Sequence, residues 1–208
     1  MHLPNLVYVL DVFGTAAFAF SGMMRCASRR PDIVGLAILA TATAVGGGIV
    51  RDAILSRRAI MLEDPVYLTV ILMTVCISAL FPKLLRRGET FFQYADAIGL
   101  GIFSAIGATL AVDNGLNPLS VLFIAGITGA GGGIIRDILL SQTPIVLYRE
   151  IYILPVLAGA GCLQIVRHYG GSTQWAFVVA AVVTIAIRFP AIWFKWSLPR
   201  LSLAAGEE

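Results

Sequence analysis

The sequence predicts an all-α integral membrane protein of seven transmembrane helices, arranged as two inverted three-helix repeats and one extra helix. Three observations carry this expectation. The 208 residues are 58% hydrophobic and only 13% charged, with a mean hydropathy of +0.87, whereas soluble domains carry roughly a quarter charged residues. Apolar runs of spanning length alternate with polar breaks. A shift of 85 residues also superimposes two halves of the chain without a gap.

The spans lie near 6–24, 33–55, 66–82, 91–112, 118–141, 151–168 and 175–196, and all read as long enough to cross. The first follows Met-His-Leu-Pro-Asn, which lacks a basic n-region, and contains Asp11, so it reads as a mature span and not a signal peptide. The second carries Gly46, Gly47 and Gly48 ahead of Arg51 and Asp52. The fourth repeats the first: Asp96, Gly99, Phe103 and Gly107 fall on Asp11, Gly14, Phe18 and Gly22. The fifth repeats the second: Thr128 falls on Thr43, and Gly131-Gly132-Gly133-Ile134-Ile135-Arg136-Asp137 on Gly46-Gly47-Gly48-Ile49-Val50-Arg51-Asp52, followed by Leu140 and Ser141 on Leu55 and Ser56. Repeat 1 thus covers 6–82 and repeat 2 covers 91–168. Each holds an odd number of spans, so the second enters the membrane from the opposite side. The seventh span has no counterpart. It is rich in Val, Ala and Ile, which suits packing or an oligomer contact, with Arg188 expected to snorkel or to meet another subunit and Pro190 to kink it.

Seven spans of about 20 residues consume about 140, which leaves roughly 70 for loops and ends. The chain is therefore a single transmembrane domain, 1–208, and neither a nucleic-acid binder nor an enzyme is expected. Cys26, Cys76 and Cys162 lack metal or disulfide spacing and read as small hydrophobes, so no metal or cofactor is expected. One side of the membrane holds Arg25, Arg29, Arg30, Lys83, Arg86, Arg87, Arg149, Lys195 and Arg200, against Arg57, Arg58 and Arg167 on the other. The positive-inside rule then places the N-terminus outside and the C-terminus in the cytoplasm of an inner (plasma) membrane. Trp175, Trp193 and Trp196 fall where interfacial anchors belong.

Three consecutive glycines weaken a helix by about 1 kcal/mol each relative to alanine, so spans two and five are expected to bend or break at their glycine runs. Backbone freed in this way is tolerated only against protein or a water-filled cavity. Close packing through small residues is the competing explanation. Charged side chains in spans are functional candidates by default. Asp11 and Arg51 lie at similar depth near one surface, and the repeat places Asp96 and Arg136 near the other. Two charge pairs, one at each mouth of a pathway, are expected.

The paired Gly-Gly-Gly-Ile-x-Arg-Asp motifs, Gly46 to Asp52 and Gly131 to Asp137, on a 3+3+1 chain resemble the prokaryotic trimeric intracellular cation (TRIC) channel family, whose bacterial members also carry a glycine-transporter label. The resemblance covers about residues 6–196. It implies a homotrimer with a pore in each protomer, permeable to monovalent cations and chiefly potassium, with no resident metal. It also implies contacts with membrane lipids and none with nucleic acid. Carried over, Gly46, Gly47, Gly48, Gly131, Gly132 and Gly133, with Thr43 and Thr128, line the pore and bend its helices. Asp11, Arg51, Asp52, Asp96, Arg136 and Asp137 lie beside the pathway. The Lys-Glu-Val lipid-binding motif of animal members is absent, since the only lysines are Lys83 and Lys195.

One physical point favours a second reading. Two arginines and the positive ends of half-helices repel cations unless the aspartates neutralise them. The same elements would hold a carboxylate, which makes a small amino-acid (glycine) transporter the alternative. A structural or lipid-organising protein is a third class.

Overall fold

The computed structural model describes residues 5–29, 31–85, 88–148 and 151–196. Arg30, Arg86, Arg87, Arg149 and Arg200 of the charge asymmetry lie outside the described residues. Ten α-helices follow in order: α1 (Asn5–Cys26), α2 (Ile33–Ile54), α3 (Ile60–Glu63), α4 (Pro65–Leu80), α5 (Pro82–Leu85), α6 (Glu89–Asp113), α7 (Pro118–Leu139), α8 (Ile145–Tyr148), α9 (Leu154–His168) and α10 (Thr173–Trp193). No β-strand occurs among the described residues.

Helix starts are written in the sequence. Asp32 accepts from Gly35 N at 2.7 Å to cap α2, and its repeat mate Asn117 accepts from Ser120 N at 3.0 Å to cap α7. Asp64 caps α4 ahead of Pro65, and Ser172 caps α10. Five helices, α1, α2, α6, α7 and α10, are long and apolar enough to cross a membrane. The third and sixth expected spans, 66–82 and 151–168, correspond to α4 with 16 residues and α9 with 15, below the roughly 20 that a straight crossing needs. A four-residue helix precedes each, α3 and α8. Pro65 and Pro155 stand in the first turns of α4 and α9, where each starts a new helix after the short one.

The expectation of broken helices is corrected too. α2 and α7 run through Gly46–Gly48 and Gly131–Gly133 without interruption, because each run is used for close approach between helices. A methyl group on Gly47 would strike the Thr128 carbonyl oxygen, and one on Gly132 would strike the Thr43 carbonyl oxygen. These two contacts exchange under the 85-residue shift. Phe18 and Phe103, also mates, pack against each other at 5.2 Å between centroids. Gly22 receives Thr43 and Gly107 receives Thr128 in the same reciprocal manner. Self-exchanging contacts of this kind are the signature of a two-fold relation between the halves.

α6 is buried along nearly every turn from Phe92 to Ala111, because α10 covers its outer face. Gly101 on α6 opens a seat for Ile185, and Gly159 on α9 opens one for Thr184. The seventh span thus packs on the second repeat. Trp175, Trp193 and Trp196 are exposed at the ends of α10. Cys26 is buried, Cys162 half-buried and Cys76 exposed.

Alanine at Gly47 or Gly132 meets backbone that cannot yield, and overpacking of this kind costs about 1–3 kcal/mol. Gly47→Ala and Gly132→Ala are therefore expected to lower the unfolding temperature in detergent. Gly161→Ala, where nothing lies within 4 Å of the added carbon, is expected to leave it equal or higher. Equal effects at all three positions would show that the contact between α2 and α7 is not tight.

Candidate functional site

Two clusters of charged side chains lie at the C-terminal ends of α2 and α7. In each, an arginine donates Nε–H to the aspartate that follows it: Arg51 to Asp52 at 2.8 Å and Arg136 to Asp137 at 2.9 Å. The other carboxylate oxygen of each aspartate accepts a backbone amide eight residues on, from Ile60 at 3.3 Å and Ile145 at 2.9 Å. Each aspartate therefore ties its arginine to the start of a short helix, α3 or α8. Ser56 and Ser141 turn the chain between them, both at φ 51°. Asp52 and Asp137, expected beside the pathway, each accept from the preceding arginine and from a backbone amide.

Tyrosines complete both clusters. Tyr67 donates to Asp11 Oδ2 at 2.5 Å and Tyr152 to Asp96 Oδ2 at 2.9 Å. Sequence reasoning missed this pair, although Tyr67 and Tyr152 stand 85 residues apart like every other mate. Asp11, Arg51, Asp52, Asp96, Arg136 and Asp137 are all buried.

The two clusters then diverge. At the second, Arg136 Nη1 reaches Asp96 Oδ1 at 2.6 Å, the charge pair expected there. Arg136 also lies over the Phe92 ring at 4.8 Å. At the first, the expected pair between Asp11 and Arg51 does not form. Both side chains instead line a cavity of about 60 Å³, with Asp52, Arg57, Arg58 and Glu63 around it. A smaller cavity of about 20 Å³ adjoins Asp11, Gly48, Arg51 and Tyr67. The third glycine differs between the runs: a side chain at Gly133 would crowd Tyr152 Oη and Arg136 Nη2, whereas one at Gly48 would meet Arg51 Nη2 only at ordinary contact distance. Thr43 and Thr128 are buried at the crossing of α2 and α7 and donate to Leu39 and Ile124 carbonyl oxygens.

Two loop and span cations are also relocated. Arg25, expected as a loop charge, lies 3.9 Å from Asp137 and 2.9 Å from Glu89. Arg188 neither snorkels nor faces outward. It is buried, donates to the Ile151 carbonyl oxygen at 2.8 Å and lies over the Tyr152 ring.

The profile of the family described as "Glycine transporter" matches twice, at residues 8–83 and 93–168. The chain belongs to the glycine transporter family. Members similar to it include the UPF0126 inner membrane protein YadS of Escherichia coli K12, 36% identical over 95% of this chain and 97% of the relative. The UPF0126 membrane protein YvgT of Bacillus subtilis is 38% identical over 93% and 96%. Solved structures place this family member in the TRIC fold. One from work on conductance through TRIC cation channels has a TM-score of 0.85 at 31% identity, covering 95% of this chain and 98% of the other. The TRIC trimeric intracellular cation channel orthologue from Rhodobacter sphaeroides has a TM-score of 0.85 at 28% identity, covering 93% and 100%. The family member described here is thus an all-α membrane protein.

A buried pair broken on one side leaves an uncompensated charge, at about 3–5 kcal/mol. A double-mutant cycle on Asp96→Asn and Arg136→Gln, read by thermal unfolding in detergent, is expected to give strong coupling. The cycle on Asp11→Asn and Arg51→Gln is expected to give little. Equal coupling would mean that the two clusters are equivalent in solution.

Proposed function

We propose that this protein is a potassium-permeable channel for monovalent cations, with a pore in each protomer of a homotrimer. The observation that carries the reading is the match to TRIC channels over more than nine-tenths of the chain at a TM-score of 0.85. The charge arrangement supports it. Each mouth of the pathway between α1, α2, α6 and α7 presents two aspartates, and each arginine is held by a carboxylate of its own helix. The fields that opposed cation passage in the sequence are thereby neutralised locally. We further propose that all seven principal helices cross an inner membrane, the short α4 and α9 with the help of α3 and α8. The N-terminus lies outside and the C-terminus in the cytoplasm, lipids surround the trimer, and the chain is not an enzyme. In this reading Thr43, Thr128 and the six glycines line the path around the crossing of α2 and α7, where Gly47 and Gly132 bring the backbones together.

A second reading has its own observation. The cavity at the first mouth sits among Arg51, Arg57 and Arg58 as well as Asp11, Asp52 and Glu63, and mixed charge of this kind suits a zwitterion. The opposite mouth is bridged by Arg136. A binding cavity on one side and a bridge on the other is the arrangement of an alternating-access carrier, here for a small amino acid such as glycine.

Purified protein in planar bilayers under a potassium gradient separates the two readings. Unitary currents that reverse near the potassium equilibrium potential are expected. Saturable glycine uptake into vesicles, without such currents and lost in Arg51→Gln, would replace the channel with the carrier.

A further inference from the structure

At the first cluster Asp11 and Arg51 are only 3% and 4% exposed, yet both have hydrogen-bonding capacity to spare. Tyr67 occupies Oδ2 of Asp11, and Asp52 occupies Nε of Arg51. Among the described residues no partner meets Asp11 Oδ1 or either terminal amino group of Arg51. Both side chains line the cavity of about 60 Å³, and both also line the smaller one beside it. A guanidinium carries five N–H donors, and buried donors are paired in the great majority of cases. The second cluster shows one way to pair them: Arg136 Nη1 meets Asp96 Oδ1 at 2.6 Å, with Ser21 Oγ 3.5 Å away. The positions of Ser21 and Arg25 are held at the first cluster by Ile106 and Leu110. These line the cavity and offer no hydrogen bond.

The space between these unpaired groups is that of about two waters, at about 30 Å³ each. Three arginines and three carboxylates surround it: Arg51, Arg57 and Arg58 against Asp11, Asp52 and Glu63. Asp64, next along the chain, is taken by Tyr8 and by the Val66 amide. An anion alone would meet three carboxylates, and a cation alone three arginines. A small molecule with one charge of each sign avoids both penalties. The planar fork of Arg51 matches a carboxylate, which it can hold through two parallel N–H donors, while Asp11 Oδ1 can accept from an ammonium group. Ile60, Ile106 and Leu110 supply an apolar wall for the carbon between the two. Such a molecule makes, at the first cluster, the two contacts that Arg136 and Asp96 make directly with each other at the second.

We propose that this cavity is a binding site for a small α-amino acid, its carboxylate on the Arg51 guanidinium and its ammonium on the Asp11 carboxylate. Tyr67 positions Asp11 through Oδ2 and leaves Oδ1 to the ligand. The site deepens the second reading of the cavity by naming the atoms that hold the zwitterion. Resting on the channel reading, it also has a regulatory consequence: an occupant held between α1 and α2 lies across the pathway and lowers potassium flow.

Binding is measured at equilibrium on the purified full chain in detergent, with radiolabelled glycine at constant ionic strength, so the outcome does not depend on flux of any kind. Saturable binding is expected. Acetate and methylammonium, each with one of the two charges, are expected to compete at least about tenfold more weakly than unlabelled glycine, the factor that one lost charge-assisted contact carries. Asp11→Asn still accepts from Tyr67, and Arg51→Lys keeps a positive charge beside Asp52 but not the fork. Each is expected to weaken glycine binding by a similar factor. Acetate as effective as glycine overturns the ammonium contact, and methylammonium as effective overturns the carboxylate contact. Absence of saturable binding to the unaltered protein, or parent-like binding in both variants, overturns the site. The competition series uses the unaltered protein and decides the question even where a variant fails to fold. In planar bilayers, glycine added on the side of this cavity is expected to lower the potassium current, and a current that it leaves unchanged overturns the regulatory role. Absence of any potassium current overturns the channel reading and leaves the binding result standing.

Discussion

An arginine that cannot reach water must be given carboxylates, and this chain meets that requirement twice with the same side chains. Arg51 and Arg136 are buried at the ends of α2 and α7, where an unpaired guanidinium would cost several kcal/mol. The next residue supplies the first carboxylate. Because that carboxylate also accepts the amide of Ile60 or Ile145, the requirement propagates outward: it sets the turn at Ser56 or Ser141 and the position of the short helix. At the second cluster it also propagates inward, since α6 must present Asp96 within reach of Arg136; Tyr67 on α4 and Tyr152 just ahead of α9 donate to Asp11 and Asp96.

The glycine runs decide how near these clusters stand to the molecular centre. The glycines lower helix propensity, but the residues around them are Ala, Val, Ile and Thr, and the intrahelical hydrogen bonds survive. What the absent side chains permit is contact between the backbones of α2 and α7 at Gly47 and Gly132. That contact brings α2 and α7 together on the two-fold relation, where Phe18 and Phe103 also meet. A helix interior made of glycine is thus compatible with an unbroken helix when the lost entropy is offset by packing that no other residue allows.

The repeat made much of this legible in advance. Helix order, the mate positions and the Asp96–Arg136 pair all follow from a shift of 85 residues and the cost of charge in hydrocarbon. Three features were out of reach for distinct reasons. Tyr67 and Tyr152 are mates, but a tyrosine in an apolar run carries no chemical mark until a carboxylate is placed against it. The start of the sixth span was placed three residues early because hydropathy does not register the turn at residues 151–153 ahead of α9. The pair between Asp11 and Arg51 was expected because depth along a helix fixes backbone height and nothing more. Whether a guanidinium crosses between helices depends on side chains elsewhere, such as Ser21 or Ile106, that no periodicity brings together.

That dependence explains how a duplicated chain can have two unlike ends. Two identical halves would place identical clusters at both mouths, and any pathway between them would be equally bridged or equally hollow at each. The structure keeps Asp, Arg, Asp and Tyr in both copies and varies only their surroundings. A hydroxyl, a second guanidinium and an aromatic face stand on one side, with aliphatic groups opposite. Each difference lies beside an arginine that keeps the carboxylate of its own helix, Asp52 or Asp137. Asymmetry carried by neighbours differs from loss of a charged partner, because the unbridged Arg51 retains Asp52 and is not left as an unpaired buried charge.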